Sequence, residues 1–147
     1  MISLKGKPQV GAVASGERGQ TITALCCCNA EGRYLPPTLI FPRKKENPRL
    51  LKDAPMGTLQ LCSKNGWING DLFLWWLKFF VSRVKPSKEE SVLLVVDNHA
   101  SHRTIDVLEY ANEHSIIMLS VPPHTTHRLQ PLDKSVYGPL GTTGKKL

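Results

Sequence analysis

Apolar and polar positions change period several times along the chain, and each change marks an element. Val92-Leu93-Leu94-Val95-Val96 is an unbroken apolar run that stops at Asp97. Such a run predicts a strand buried on both faces, as in a parallel sheet covered by helices. A carboxylate at the end of that strand stands where α/β sheets hold their ligands. "SIIMLSV" (115–121) predicts a second short buried strand, stopped by Pro122-Pro123. Between the two, Val107, Leu108 and Ala111 share one side of a helix running from about Thr104 to His114. Strand, helix and strand in this space predict a right-handed parallel βαβ unit.

Upstream, "INGDLFLWWLKFFVSRVKP" carries the helical repeat in Leu72, Phe73, Trp76, Leu77, Phe80 and Val84. Asn69 supplies an N-cap, Asp71 suits the positive N-terminus, and Lys85-Pro86 ends the helix. Trp75 and Phe79 widen the apolar arc, so this helix should pack against a sheet. The first third reads as β: "VGAVAS" (10–15), "TITALCCC" (21–28) and "LPPTLIF" (35–41), separated by the turn signals "GERGQ" and "NAEGR". Short connections predict an antiparallel meander. Pro36-Pro37 puts the third strand at an edge or delays its start. Residues 42–66 read as basic and irregular. Pro131 would open a last helix with Asp133 in its first turn. The expectation is an α/β domain with a mixed sheet.

Composition narrows the class. The 147 residues suffice for one domain with a real core, and 41% hydrophobic with 21% charged is globular. No apolar run is long enough to span a bilayer and "MISLKGKPQV" is no secretory signal, so an intracellular protein is expected. Cys26, Cys27 and Cys28 are consecutive in a strand-like run and read as buried thiols rather than a metal or disulfide framework. The net charge of +7 favours a polyanionic partner, nucleic acid first. The densest basic cluster, "PRKKENPR" (42–49), reads equally as a solvated loop, a phosphate contact or an import signal.

The candidate chemistry lies at one sheet edge. Asp97 ends one parallel strand and Asp133 follows the next, beyond the loop "PPHTTHRLQPL". Both strands of a βαβ unit end at the same edge, so the two carboxylates can meet there and hold divalent metal for phosphodiester cleavage. A helix-terminal charge at Asp133 and an Asx turn of Asp97 with Asn98 are the structural alternatives. "HASH" (His99, His102) and "HTTH" (His124, His127) also admit a zinc site with Asp97, although loop histidines read better as hydrogen-bonded supports of the ligands.

The blocks "VVDNHASH", "PPHTTHRLQPLDKSVYGPL", "GWINGDLFLWWLKFF" and "GERGQTITALCCCNAEGRYLPPTLIFPRK" resemble the DDE superfamily endonuclease domain of pogo-, Tigger- and jerky-type transposases and their domesticated descendants. The likeness covers roughly residues 8–140. It implies a partial DDE domain over 1–140 with a loose tail at 141–147, and a ribonuclease-H-like mixed sheet flanked by helices. By resemblance, Asp97 and Asp133 are the second and third catalytic, metal-binding aspartates, with 35 residues between them (133 − 97 − 1). Mg²⁺ or Mn²⁺ is the implied cofactor. Asn98, His99, His102, His127 and Gln130 are the implied supports around the ligands. DNA is the implied partner, the nucleus the implied location, and a homodimer is compatible with the family; a membrane is not expected.

The chain also departs from that pattern. No aspartate precedes Asp53, and Glu17, Glu31 and Glu46 are not placed like the family's first ligand. The expectation is a truncated core that lacks the first, central strand, is inactive in strand transfer and is marginally stable or prone to aggregate. A non-enzymatic DNA- or partner-binding protein is the alternative, and a decayed transposon reading frame the third reading.

Overall fold

A computed structural model describes residues 22–122 and Leu132. The expected strand 10–15, the last helix and its Asp133 lie outside the described residues. The described residues fall into two compact units, one up to Trp67 and one from Ile68 onward.

The first unit is a three-stranded sheet in the order β1-β2-β3, formed by β1 (Thr23–Leu25), β2 (Thr38–Pro42) and β3 (Leu59–Ser63). β1 pairs antiparallel with β2, joined by the expected turn at 29–33. Asn29 Oδ1 accepts the N–H groups of Glu31 (3.1 Å) and Arg33 (2.9 Å), and Gly32 supplies a φ of 80°. The two prolines delay β2 until Thr38, and β2 becomes the central strand. Ile40 and Phe41 are consecutive and both buried, so β2 is covered on both faces.

The third strand corrects the irregular reading of residues 42–66. β3 lies in the segment read as irregular, and it pairs parallel with β2, Thr38 beside Leu59 and Pro42 beside Ser63. A 3-10 turn, Pro48–Leu51, lies in the crossover. Gln60 is buried, and its amide group donates to the Asn47 carbonyl (3.1 Å) while its oxygen accepts the Asn47 N–H (3.2 Å). That reciprocal pair ties the crossover to β3 and satisfies a polar side chain that burial would otherwise penalise. Thr38 Oγ1 is buried with no hydrogen-bond partner among the described residues. Cys26, Cys27 and Cys28 are only half-buried rather than buried as expected, since the β1 ladder stops at Leu25. Burial, with its two thiol neighbours, pushes the Cys27 thiol up to about 11.

The second unit holds α1 (Gly70–Val84), β4 (Val92–Val96), a 3-10 turn (Ala100–His102), α2 (Ile105–Glu113) and β5 (Ile116–Ser120). Asn69 Oδ1 accepts the Leu72 N–H at 2.9 Å, and Lys85, at a φ of 53°, ends α1 before Pro86. Phe73, Trp76, Leu77 and Phe80 are buried, whereas Trp75 is 62% exposed and Val84 also faces outward. The main neighbours of α1 are α2 and the 3-10 turn, rather than a sheet as expected. β4 and β5 pair parallel, Val92 beside Ile116 through Val96 beside Ser120, as the βαβ reading requires.

β4 is not buried on both faces. Leu94 and Val96 are buried, but Leu93 and Val95 are exposed, as are their register partners Ile117 and Leu119. The reason is the single helical layer: α2 packs on β5 and α1 on α2, so only one face of the pair is covered.

Candidate active site

Asp97 is the first residue beyond β4, and the Val96 carbonyl still accepts the Val121 N–H at 3.0 Å, so the ends of β4 and β5 stay together. Asp97 Oδ1 accepts the His99 N–H at 3.0 Å, closing the expected Asx turn with Asn98 at its centre. The same oxygen lies 2.8 Å from His102 Nε2. Both protein bonds therefore fall on Oδ1, and Oδ2 accepts from none of the described residues. Asn98 lies in the turn, half-buried, and takes no part in these bonds.

The second 3-10 turn delivers His102. Its imidazole is buried and packs on the Phe73 ring of α1, centroids 4.1 Å apart at 53°. Gly70 makes the close approach of α1 feasible, since a Cβ there would lie 2.6 Å from Thr104 Cγ2 at the start of α2. On the other side of the ring, Ser101 Oγ lies 3.3 Å from His102 Nδ1 and 2.8 Å from His99 Nδ1. A neutral His102 that donates from Nε2 to Asp97 presents Nδ1 as an acceptor, which the Ser101 hydroxyl can fill. The result is a chain of contacts, Asp97–His102–Ser101–His99.

This environment sets the charge of Asp97. The His102 hydrogen bond, above all, holds the carboxyl below the usual carboxylate range against the opposing effect of partial burial; the His99 N–H and the nearby imidazoles help. An ionised carboxylate whose side chain is 38% exposed, with one oxygen unengaged among the described residues, suits a hard divalent cation as a single donor.

His99, through its N–H, and His102, through Nε2, both hydrogen-bond Asp97. Their rings are 5.8 Å apart and both address Ser101. Among the described residues, no group of three or more His, Cys, Asp or Glu is arranged to hold a metal ion. Asp133, His127 and Gln130, with His124, lie outside the described residues. Glu31 sits in the 29–33 turn against Arg33 at 3.4 Å, and Glu46 is exposed in the basic loop. Sequence reading missed Ser101, whose one visible signal is its place between the histidines of "HASH". It also missed Phe73 as the wall behind His102, because a helical aromatic reads simply as core.

Residues 19–145 match the family described as DDE superfamily endonuclease, and the chain belongs to that family. It is 30% identical over 139 residues to a protein of Cochliobolus lunatus named MFS-type transporter clz9, covering 92% of this chain and 15% of that protein. It is 28% identical over 137 residues to the Pogo transposable element with KRAB domain of Homo sapiens, and equally to that of Mus musculus, covering 92% of this chain and 22% of each. The chain therefore spans less than a quarter of the length of these curated relatives. No solved structure matches it. No helix among the described residues is long and apolar enough to cross a membrane.

Proposed function

We propose that the chain is the part of a ribonuclease-H-like, DNA-directed DDE domain that carries Asp97 and Asp133, and that these two carboxylates hold Mg²⁺ or Mn²⁺. The observation that supports this most is the Asp97 carboxylate at the end of β4, ionised, with Oδ1 anchored by His99 and His102 and Oδ2 unengaged among the described residues. Bound there, a divalent ion would activate the attacking hydroxyl and stabilise the leaving oxygen of a phosphodiester. The protein's own part is to keep the carboxylate charged and oriented, through His102 and the Asx turn. Of the three carboxylates the family uses, two are assigned here, Asp97 and Asp133. Nuclear location and DNA as partner follow from the same reading.

Mn²⁺ titration followed by paramagnetic broadening of the His99 and Ser101 amide signals tests it. Broadening that disappears in Asp97→Asn and in Asp133→Asn, and persists in His124→Ala, is the expected result. Equal losses for His124→Ala and Asp133→Asn would sink the aspartate-centred site. Nicking of supercoiled DNA in the same titration separates an enzyme from a protein that only binds.

A further inference from the structure

A second strand-end cluster lies wholly within the first unit, and its chemistry is the opposite of that at Asp97. Because β2 and β3 are parallel and in register to Pro42 and Ser63, the segments that follow them leave the sheet at the same end, about 4.8 Å apart. After β2 comes Arg43-Lys44-Lys45-Glu46, and after β3 comes Lys64-Asn65-Gly66-Trp67. Four cations, Arg43, Lys44, Lys45 and Lys64, stand here against one carboxylate, Glu46, and all five side chains are exposed. None of the four cations has an ion-pair partner among the described residues. Arg43 and Glu46 both act electrostatically on Cys62, which agrees with the basic loop lying over the end of β3.

The turn after β3 is built to present its last residue. Asn65 Oδ1 accepts the Trp67 N–H at 3.1 Å and the Ser63 hydroxyl at 3.4 Å. Thr23 Oγ1 of β1 donates to the Gly66 carbonyl at 2.7 Å, so the turn reaches back across the sheet to its far strand. Gly66 is buried at a φ of 78°, a conformation a side chain would strain. Arg43 is directed likewise: its N–H donates to the Phe41 carbonyl at 2.8 Å, which bends the chain as it leaves β2. The anchored turn leaves the Trp67 indole 48% exposed. An aromatic face left in water beside uncompensated cations lacks a folding reason of its own. A base stacked on the ring while its phosphates meet the cations would supply one.

We propose that this end of the sheet binds an unpaired stretch of DNA, with phosphates on Arg43, Lys44, Lys45 and Lys64 and one base stacked on Trp67. The proposal rests on DNA being the partner and is independent of the metal site. Duplex alone would use the cations but leave the indole idle, because paired bases offer no free face.

The test uses the full chain in EDTA, with a labelled single-stranded oligonucleotide and a duplex of the same sequence. The expected result is tighter binding of the single strand, with quenching of tryptophan fluorescence that vanishes in Trp67→Phe. Trp67→Ala should weaken single-strand binding about tenfold, with little change for duplex and an unchanged salt slope. Lys44→Gln/Lys45→Gln should instead lower the slope of log affinity against log salt by about 0.7 for each phosphate contact removed. Lys88→Gln, an exposed cation in the other unit, should leave binding as it is. Unchanged affinity in Trp67→Ala with a matching melt, or equal effects of Lys44→Gln and Lys88→Gln, overturns the proposal. Because the chelator removes the metal and no cleavage is scored, either result leaves the Asp97 reading standing, and loss of Mn²⁺ binding would leave this one standing.

Discussion

Two turns follow parallel strands in this molecule, one after β3 and one after β4, and they are held in different ways. After β4, the carboxylate of the candidate site is itself the structural anchor: Asp97 Oδ1 closes the turn and engages His102, which is buried on Phe73. After β3, the anchor is Asn65, a neutral amide, and the charged and aromatic side chains around it hold nothing together. Strand ends of the same kind therefore carry opposite charge and different degrees of commitment. The first turn couples the candidate site to folding; the second leaves its charged and aromatic groups free to vary at little structural cost.

That contrast predicts unequal losses. His102→Ala removes a buried ring and leaves Asp97 half-anchored, so it should destabilise the chain by about 3 kcal/mol in denaturant titration. Trp67→Ala should stay within about 0.5 kcal/mol of wild type, as surface changes do. Equal losses from the two would break the comparison. The pH dependence sharpens it. Asp97 titrates below the usual 3.8, so its share of stability is fully present above that value and is lost as pH falls through its folded pKa. Asp97→Asn should therefore flatten part of the acid limb of a stability-against-pH curve, whereas Lys64→Gln should leave its shape unchanged. A gain rather than a loss is expected at the start of β2. Thr38→Val exchanges a buried, unpartnered hydroxyl for a methyl group and should raise stability by about 1 kcal/mol, read from the melt.

The elements with strong local signals were legible in sequence. The apolar repeat, the Asn69 cap and Lys85-Pro86 placed α1 almost to the residue, and the βαβ unit followed from two apolar runs and the helix between them. β3 was hidden because Leu59-Gln60-Leu61-Cys62-Ser63 is short, and Gln60 enters the interior only through the Asn47 backbone 13 residues away. The exposure of Leu93 and Val95 was equally invisible, since an apolar run states what could be buried and not how many layers exist to bury it. At the site, sequence pointed to Asp97, His99 and His102. It did not reveal that two bonds converge on one carboxylate oxygen or that Ser101 links the histidines, because those depend on a 3-10 turn with no repeat to announce it.

The uncovered face of β4 and β5 affects how the protein behaves in solution. Leu93, Val95, Ile117 and Leu119 form a wetted hydrocarbon strip on a two-stranded sheet. A net charge of +7 keeps such strips on separate molecules apart at low ionic strength. Added salt screens that repulsion and leaves the strip's adhesion intact. Self-association and release of a polyanion thus rise together as salt rises. Light scattering recorded along each salt titration separates the two.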